Sequence, residues 1–195
     1  MPESKTDYWS SRYLQDNTPW DMGTASPPLT AFLQQLTNKD QRILIPGAGN
    51  SYEAEWLWNN GFKNTFVLDI SLLPLQNLKE RVPQIPDNHL LHEDFFRHEE
   101  NYDLIVEQTF FCALPPDQRK EYVKKTFELL KPGGQLFGVL FDFPLTSVGP
   151  PYGGSSGEYR QLFSQLFKIY RLDRCYKSIK PRQGSELFFR TIKHG

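Results

Sequence analysis

The 195-residue sequence predicts an α/β domain: a doubly wound, mostly parallel, seven-stranded sheet of Rossmann-like type that closes in a C-terminal antiparallel hairpin. Three observations carry this expectation. Short apolar runs alternate with helical patterns along the chain, the signature of a sheet covered on both faces. A glycine turn, "PGAGNS" (46–51), joins the first apolar run to the next helical pattern. The last two strand patterns are joined by the short polar connector "KPRQGS", which cannot hold a crossover helix, so that pair runs antiparallel.

In chain order, "PLTAFLQQL" sets Leu29, Phe32, Leu33 and Leu36 at helical spacing. "RILIP" is a buried strand, and "YEAEWLWNN" is a helix closed by Gly61, a residue suited to the left-handed backbone that ends helices. "NTFVLDI" (strand), "LPLQNLKERV" (helix), "HLLHED" (strand) and "YDLIVEQ" (strand) follow. "PDQRKEYVKKTFELL" is a helix stopped by "KPGG", because Pro132 cannot continue it and glycine permits the reversal. "QLFGVLFDF" is then a strand, "SGEYRQLFSQLF" a helix, and "IYRLDRCYKSI" with "SELFFRTI" the terminal pair. Residues 1–195 read as one domain, with 1–28 as an aromatic lid segment. Its binding crevice is expected at the carboxyl ends of the first strands.

Composition narrows the function. A net charge of −1 gives no global attraction to nucleic acid or to an anionic membrane, and neither is an expected partner. The densest basic run, "RKEYVKK", is interrupted by Glu121 and reads as a solvated helix face. No stretch approaches the ~20 apolar residues of a membrane span, and "MPESKTDYW" is not a signal-peptide pattern. Cys112 and Cys175 lie far apart without metal-type spacing. The expectation is a monomer without a metal, in a reduced, cytoplasmic setting.

Gly47 and Gly49 stand between a strand and a helix, the context in which a glycine turn holds a nucleotide. Asp69 ends the next strand and can accept hydrogen bonds from ribose hydroxyls; the alternative is a helix N-cap shared with Ser71. Asn50 and Ser51 occupy the place of the third glycine that a close-approaching pyrophosphate needs. A nucleoside without phosphates has no such need, and S-adenosyl-L-methionine is one. At the end of the third strand, Asp94 can accept from an adenine amine and the Phe95 N–H can donate to a ring nitrogen, with the Phe95 ring as plain core the alternative. Upstream, Tyr8, Trp9, Tyr13 and Trp20 come with little aliphatic company. Ring faces within ~6 Å attract a sulfonium cation by ~0.5–2 kcal/mol each; otherwise the segment simply covers the open end of the sheet.

Together "YWSSRY…NTPWDMG", "ILIPGAGNSYEAEWL", "VLDIS", "HEDFF", "YDLIVEQTFFCALPP" and "LLKPGG" resemble the thiopurine S-methyltransferase superfamily, nearest its halide and thiol methyltransferase branch. The likeness runs from about Tyr8 to Gly134 and more loosely through "GPPYGGSSGEY" to the end. It implies a class I methyltransferase fold, with S-adenosyl-L-methionine as donor and S-adenosyl-L-homocysteine as product. By motif, the implied donor contacts are Trp9, Tyr13, Trp20, Gly47, Asp69, Asp94, Phe95 and Gln108, to which the turn itself adds Gly49. Tyr13 stands where the family often has tryptophan, Ala48 where cysteine is common, and Gln108 where the branch typically has tyrosine.

The implied reaction is methyl transfer to a small soft nucleophile: a thiol first, with bisulfide, halide and selenium species as alternatives. Such a displacement needs the nucleophile about 3–3.5 Å from the methyl and water kept out. A thiolate needs no strong base, so no catalytic residue is assigned. His89 and His92 flank a strand end, and His98 and His194 are expected to be exposed. Phe110, Phe111, Tyr152 and Tyr159 are candidate walls for the acceptor. Arg12 either attracts an anionic acceptor or pairs with Asp7 or Asp16. "GPPYGGSSGEY" reads as a mobile flap. Two rivals remain: a non-catalytic module that binds the donor, and an NAD(P)-dependent reductase. The reductase rests on a YxxxK pattern from Tyr176 to Lys180, which lies in a strand-like stretch rather than on a helix.

Overall fold

Every strand pattern in the sequence becomes a strand in the computed structural model, which describes residues 4–194. The order is α1 (Lys5–Leu14), α2 (Pro27–Leu33), β1 (Ile43–Pro46), α3 (Tyr52–Asn59), β2 (Thr65–Asp69), α4 (Leu72–Arg81), β3 (Leu90–His92) and β4 (Tyr102–Gln108). Then come α5 (Arg119–Leu129), β5 (Leu130–Phe141), α6 (Ser156–Phe163), β6 (Phe167–Arg174) and β7 (Glu186–Lys193). The sheet runs β3-β2-β1-β4-β5-β7-β6. Its first five strands pair in parallel, and β7 is antiparallel to both β5 and β6. The reversed strand expected from the short connector is therefore β7.

The period of two along each strand decides which face a residue serves. Ile43 and Ile45 of β1, Val67 of β2 and Val106 of β4 pack with Leu29, Leu57 and Leu75 from α2, α3 and α4. Leu44, Leu68 and Ile105 point the other way, onto Tyr122 of α5 and Phe163 of α6. Each such side chain, fully buried, contributes about 1.5–3 kcal/mol. Both faces are thus covered, and polar function is left to the strand ends.

Four local features differ from the sequence expectations. Residues Lys5–Leu14 form a helix, although its one aliphatic residue, Leu14, is exposed; no residue of α1 is fully buried, so no hydrophobic stripe announces it. "KPGG" does stop α5, but inside the sheet register: Tyr102 pairs with Leu130 and Leu104 with Gln135, which loops out 131–134. Strand β6 ends at Arg174, so "CYKSI" leaves the sheet, and Tyr176 is exposed there rather than extended in a strand. Helix α6 stops at Phe163. Among the described residues no helix is long and apolar enough to cross a membrane.

Candidate active site

The site begins where β1 runs out. Gly47 (φ +54°), Gly49 (φ +53°) and Ser51 (φ +54°) bring left-handed backbone into the turn that leads to α3. At Gly47 glycine is obligatory for a second reason: a Cβ there would lie 2.1 Å from Cδ2 of Phe110. The turn is tied down by Asp69 at the end of β2. Its Oδ2 accepts the Gly49 N–H at 3.1 Å and its Oδ1 accepts the Ser71 N–H at 2.8 Å. Asp69 thus lies at the crevice and also accepts the N–H of Ser71 at the start of α4. Burial pushes its carboxyl up to about 6, against the pull of those two N–H groups.

At the end of β3, Asp94 caps a short 3₁₀ turn (Phe95–Arg97), accepting the Phe96 N–H at 2.9 Å. The Phe95 ring is core, edge-on to Phe110 at 5.2 Å and stacked on Tyr122 at 5.4 Å. His98, expected at the surface, is 3% exposed. The 3₁₀ turn folds it inward, where Nδ1 meets Glu93 at 2.8 Å and Nε2 meets the Tyr102 hydroxyl at 2.7 Å.

Helix α1 and the segment after it lie over the turn. Ser10 and Ser71 share a hydroxyl hydrogen bond at 3.0 Å, and Lys5 donates to Gln118 at 3.2 Å. Trp20 meets Trp9 and Tyr13 edge to face, with ring centroids 5.4 and 5.9 Å away. The Asn50 amide donates to Asp21, and Arg182, 162 residues on, donates to the Trp20 carbonyl at 2.8 Å. Burial and nearby Asp69 raise the Tyr13 hydroxyl well above its ordinary value, so it stays a neutral phenol.

Beneath lies one cavity of about 350 Å³, and every residue expected at the donor lines it: Trp9, Tyr13, Trp20, Gly47, Gly49, Asp69, Asp94, Phe95 and Gln108. Arg12 and Phe110 line it too. Arg12 makes no ion pair with Asp7 or Asp16; its guanidinium lies 5.6 Å over Trp20 and 6.0 Å over Tyr8.

Three expected acceptor walls are not walls. Phe111 is 1% exposed and packs on Tyr122, Tyr159 and Phe163, because the 3₁₀ turn after β4 points it under the sheet. Tyr159 is also core, with its hydroxyl donating to the Phe141 carbonyl at 2.7 Å. Tyr152 lies outside the cavity lining; its ring sits where a Cβ on Gly149 would come within 2.8 Å, and its N–H donates to the Cys112 carbonyl at 2.7 Å. Phe141, Pro150, Pro151 and Cys112 line that end instead. The expected flap is strapped down. Arg119 donates to the Gly153 carbonyl at 2.8 Å, and a Cβ on Gly153 or Gly154 would come within 2.3 Å of Phe143 O or the Tyr159 hydroxyl. Those glycines serve close packing rather than hinging.

Sequence reasoning also missed the buried carboxyls Glu53, Glu107 and Glu186 and the half-buried Arg182. Glu53 of α3 accepts the Ser26 N–H at 2.8 Å, and burial raises its pKa. Arg182 pairs with buried Glu186 at 3.5 Å while holding the Trp20 carbonyl. Glu107, at the end of β4, is fully buried. Only a paired partner makes such burial tolerable, and the partners lie on other elements.

Two cavity-lining atoms are buried without a hydrogen-bond partner among the described residues: Gln108 Oε1, an acceptor, and Arg12 Nε, a donor. An α-amino acid supplies the complement of each, an ammonium and a carboxylate. With Asp69 and Asp94 as acceptors for ribose and adenine, and no lysine following the glycines, the residues fit S-adenosylmethionine.

This sheet order, with its reversed β7 and a crevice over β1 to β4, defines the class I S-adenosylmethionine-dependent methyltransferases. The 1,6-didemethyltoxoflavin-N1-methyltransferase of Burkholderia thailandensis, solved with 1,6-didemethyltoxoflavin and S-adenosylhomocysteine bound, matches it with a TM-score of 0.76 over 96% of this chain and 86% of its own, at 18% identity. In sequence, the probable thiol methyltransferase 2 of Arabidopsis thaliana is 31% identical across 99% of this chain and 88% of its own. Thiocyanate methyltransferase 1 of Brassica oleracea is 30% identical across 95% and 84%. The thiopurine S-methyltransferase family matches residues 4–191, and the chain belongs to that family: it is an S-adenosylmethionine-dependent methyltransferase.

Proposed function

We propose that the enzyme methylates a small thiol on sulfur, with the donor in the lid-covered half of the cavity and the acceptor against Phe110, Phe141 and Pro150. The observation that carries this reading is the joining, in one cavity, of nucleoside acceptors (Asp69, Asp94) to an apolar far wall. Bound there, S-adenosylmethionine supplies a methyl group that is already electrophilic. What the chain's own residues supply is placement. The remaining lone pairs of Asp69 take the ribose hydroxyls, Asp94 and the Phe95 N–H take adenine, and the Trp9, Tyr13 and Trp20 rings cover the cation and exclude water. Arg12 and Arg182 set positive charge along the cavity, which favours a thiolate over a thiol and spares the site a strong base.

Both cysteines are free and buried, in keeping with a single domain acting in a reducing compartment. The test is a panel of aromatic and aliphatic thiols, bisulfide and iodide at fixed donor concentration, with S-adenosylhomocysteine and the methylated product read by mass spectrometry. Thiols are expected to lead the panel. Turnover of iodide or bisulfide alone would move the assignment to the inorganic acceptors, and S-adenosylhomocysteine binding without turnover of any acceptor would leave a binding module.

A further inference from the structure

Where β4 leaves the sheet, Thr109 has φ +60°. A β-branched residue in this left-handed region is strained and persists only where its surroundings hold it. Glu107 holds it. Its Oε1 accepts the N–H groups of Phe110 and Phe111, both at 2.9 Å, and its Oε2 accepts the Tyr122 hydroxyl of α5 at 2.6 Å. The carboxylate is absent from the cavity wall, yet Gln108, Thr109, Phe110 and Cys112 of the turn it grips all line that wall. Phe110 abuts Gly47 at the donor end, and Cys112 lies with Phe141 and Pro150 at the other.

We propose that Glu107 is a positioning residue for methyl transfer: its carboxylate holds the strained 108–112 turn and so aligns the donor wall with the acceptor wall. This rests on the cavity being the donor and acceptor site. The titratable groups around Glu107 are Tyr122 from α5, Cys112 of the turn, and Glu186 from β7, which borders the same small internal space; Arg119 and Arg182 act on Cys112 from beyond. Burial pushes Glu107 up to about 7, so its grip on the two N–H groups loosens as pH falls through neutrality.

The experiment compares the full chain with Glu107→Gln, and with Glu107→Gln plus Thr109→Gly, at pH 8. Glutamine keeps an oxygen for the two N–H groups but no charge, and glycine removes the strain. Glu107→Gln is expected to raise the calorimetric Kd for S-adenosylhomocysteine about fivefold and lower kcat at saturating substrates about tenfold, a size typical of misplacement within a site. Thr109→Gly is expected to restore at least half of each loss. Should Glu107→Gln not fold, Tyr122→Phe, which deletes one of the three bonds, replaces it and is read the same way. Values within twofold of the parent, or losses that glycine leaves untouched, would overturn the proposal and make Glu107 an ordinary core group. A parent chain that bound no S-adenosylhomocysteine would instead overturn the site assignment, and this inference with it.

Discussion

The two ends of the cavity are built on opposite plans. At the donor end, polar groups sit at the tips of rigid strands: Asp69 on β2, Asp94 just past β3, and Gln108 on β4. Their positions are dictated by sheet register, and even the turn between them is pinned to Asp69. The far end is made of Phe141, Pro150, Pro151 and Cys112, on segments that leave the sheet. These side chains offer shape and little hydrogen bonding. In the proposed assignment, one end recognises a fixed molecule by hydrogen bonds, and the other takes a small apolar nucleophile by shape. A shared methyl donor with divergent acceptors is what such a division permits.

The contrast is sharpest at Asp69. Asp69→Ala is expected to weaken S-adenosylhomocysteine binding by ~1–3 kcal/mol, measured by calorimetry, while acceptor KM at saturating donor stays near the parent value. The same residue sets a pH dependence. Its folded pKa is raised to about 6 from 3.8, and in the proposed binding mode ribose hydroxyls bond the ionised form. Affinity should therefore climb as pH rises through about 6 and level off above, whereas Asp69→Asn should be flat. In the free protein the sign is reversed. Between roughly pH 4 and 6 the folded chain keeps a proton that the unfolded chain has lost, so this group subtracts stability as pH rises. A parent binding curve without an inflection near 6 would break the donor-end half of the comparison.

A smaller effect is expected at the lid. Trp9→Leu should weaken S-adenosylmethionine by ~0.5–2 kcal/mol and S-adenosylhomocysteine, which has a neutral thioether in place of the sulfonium, by less, since only the former sets a sulfonium against the ring. Equal losses for both would reduce the lid to a cover. The smallest change belongs to Tyr152→Phe, which leaves the cavity lining intact; acceptor KM and kcat should stay within about twofold of the parent. A large KM change there would return Tyr152 to the acceptor wall.

The sequence disclosed the donor end far better than the acceptor end, for a physical reason. Strand ends follow from local periodicity, so the runs "FVLDI" and "HEDFF" suffice to set Asp69 and Asp94 at the ends of their strands. Helix α1 escaped because its non-polar residues are mostly aromatic and face a cavity, leaving none fully buried to mark a core stripe. His98 looked solvated among the charges of "RHEE", yet the fold turns it onto Glu93 and Tyr102. Phe111 and Tyr159 looked like pocket aromatics because composition cannot tell a ring under the sheet from one at its edge. The buried carboxyls Glu53 and Glu107 and the half-buried Arg182 acquire meaning only through partners on other elements.

Arg182 reaches from the connector before the last strand to the Trp20 carbonyl, near the other end of the chain. On a ribosome, Trp20 emerges 162 residues before the arginine that clasps it, so the lid segment is made long before the contact that ties it down.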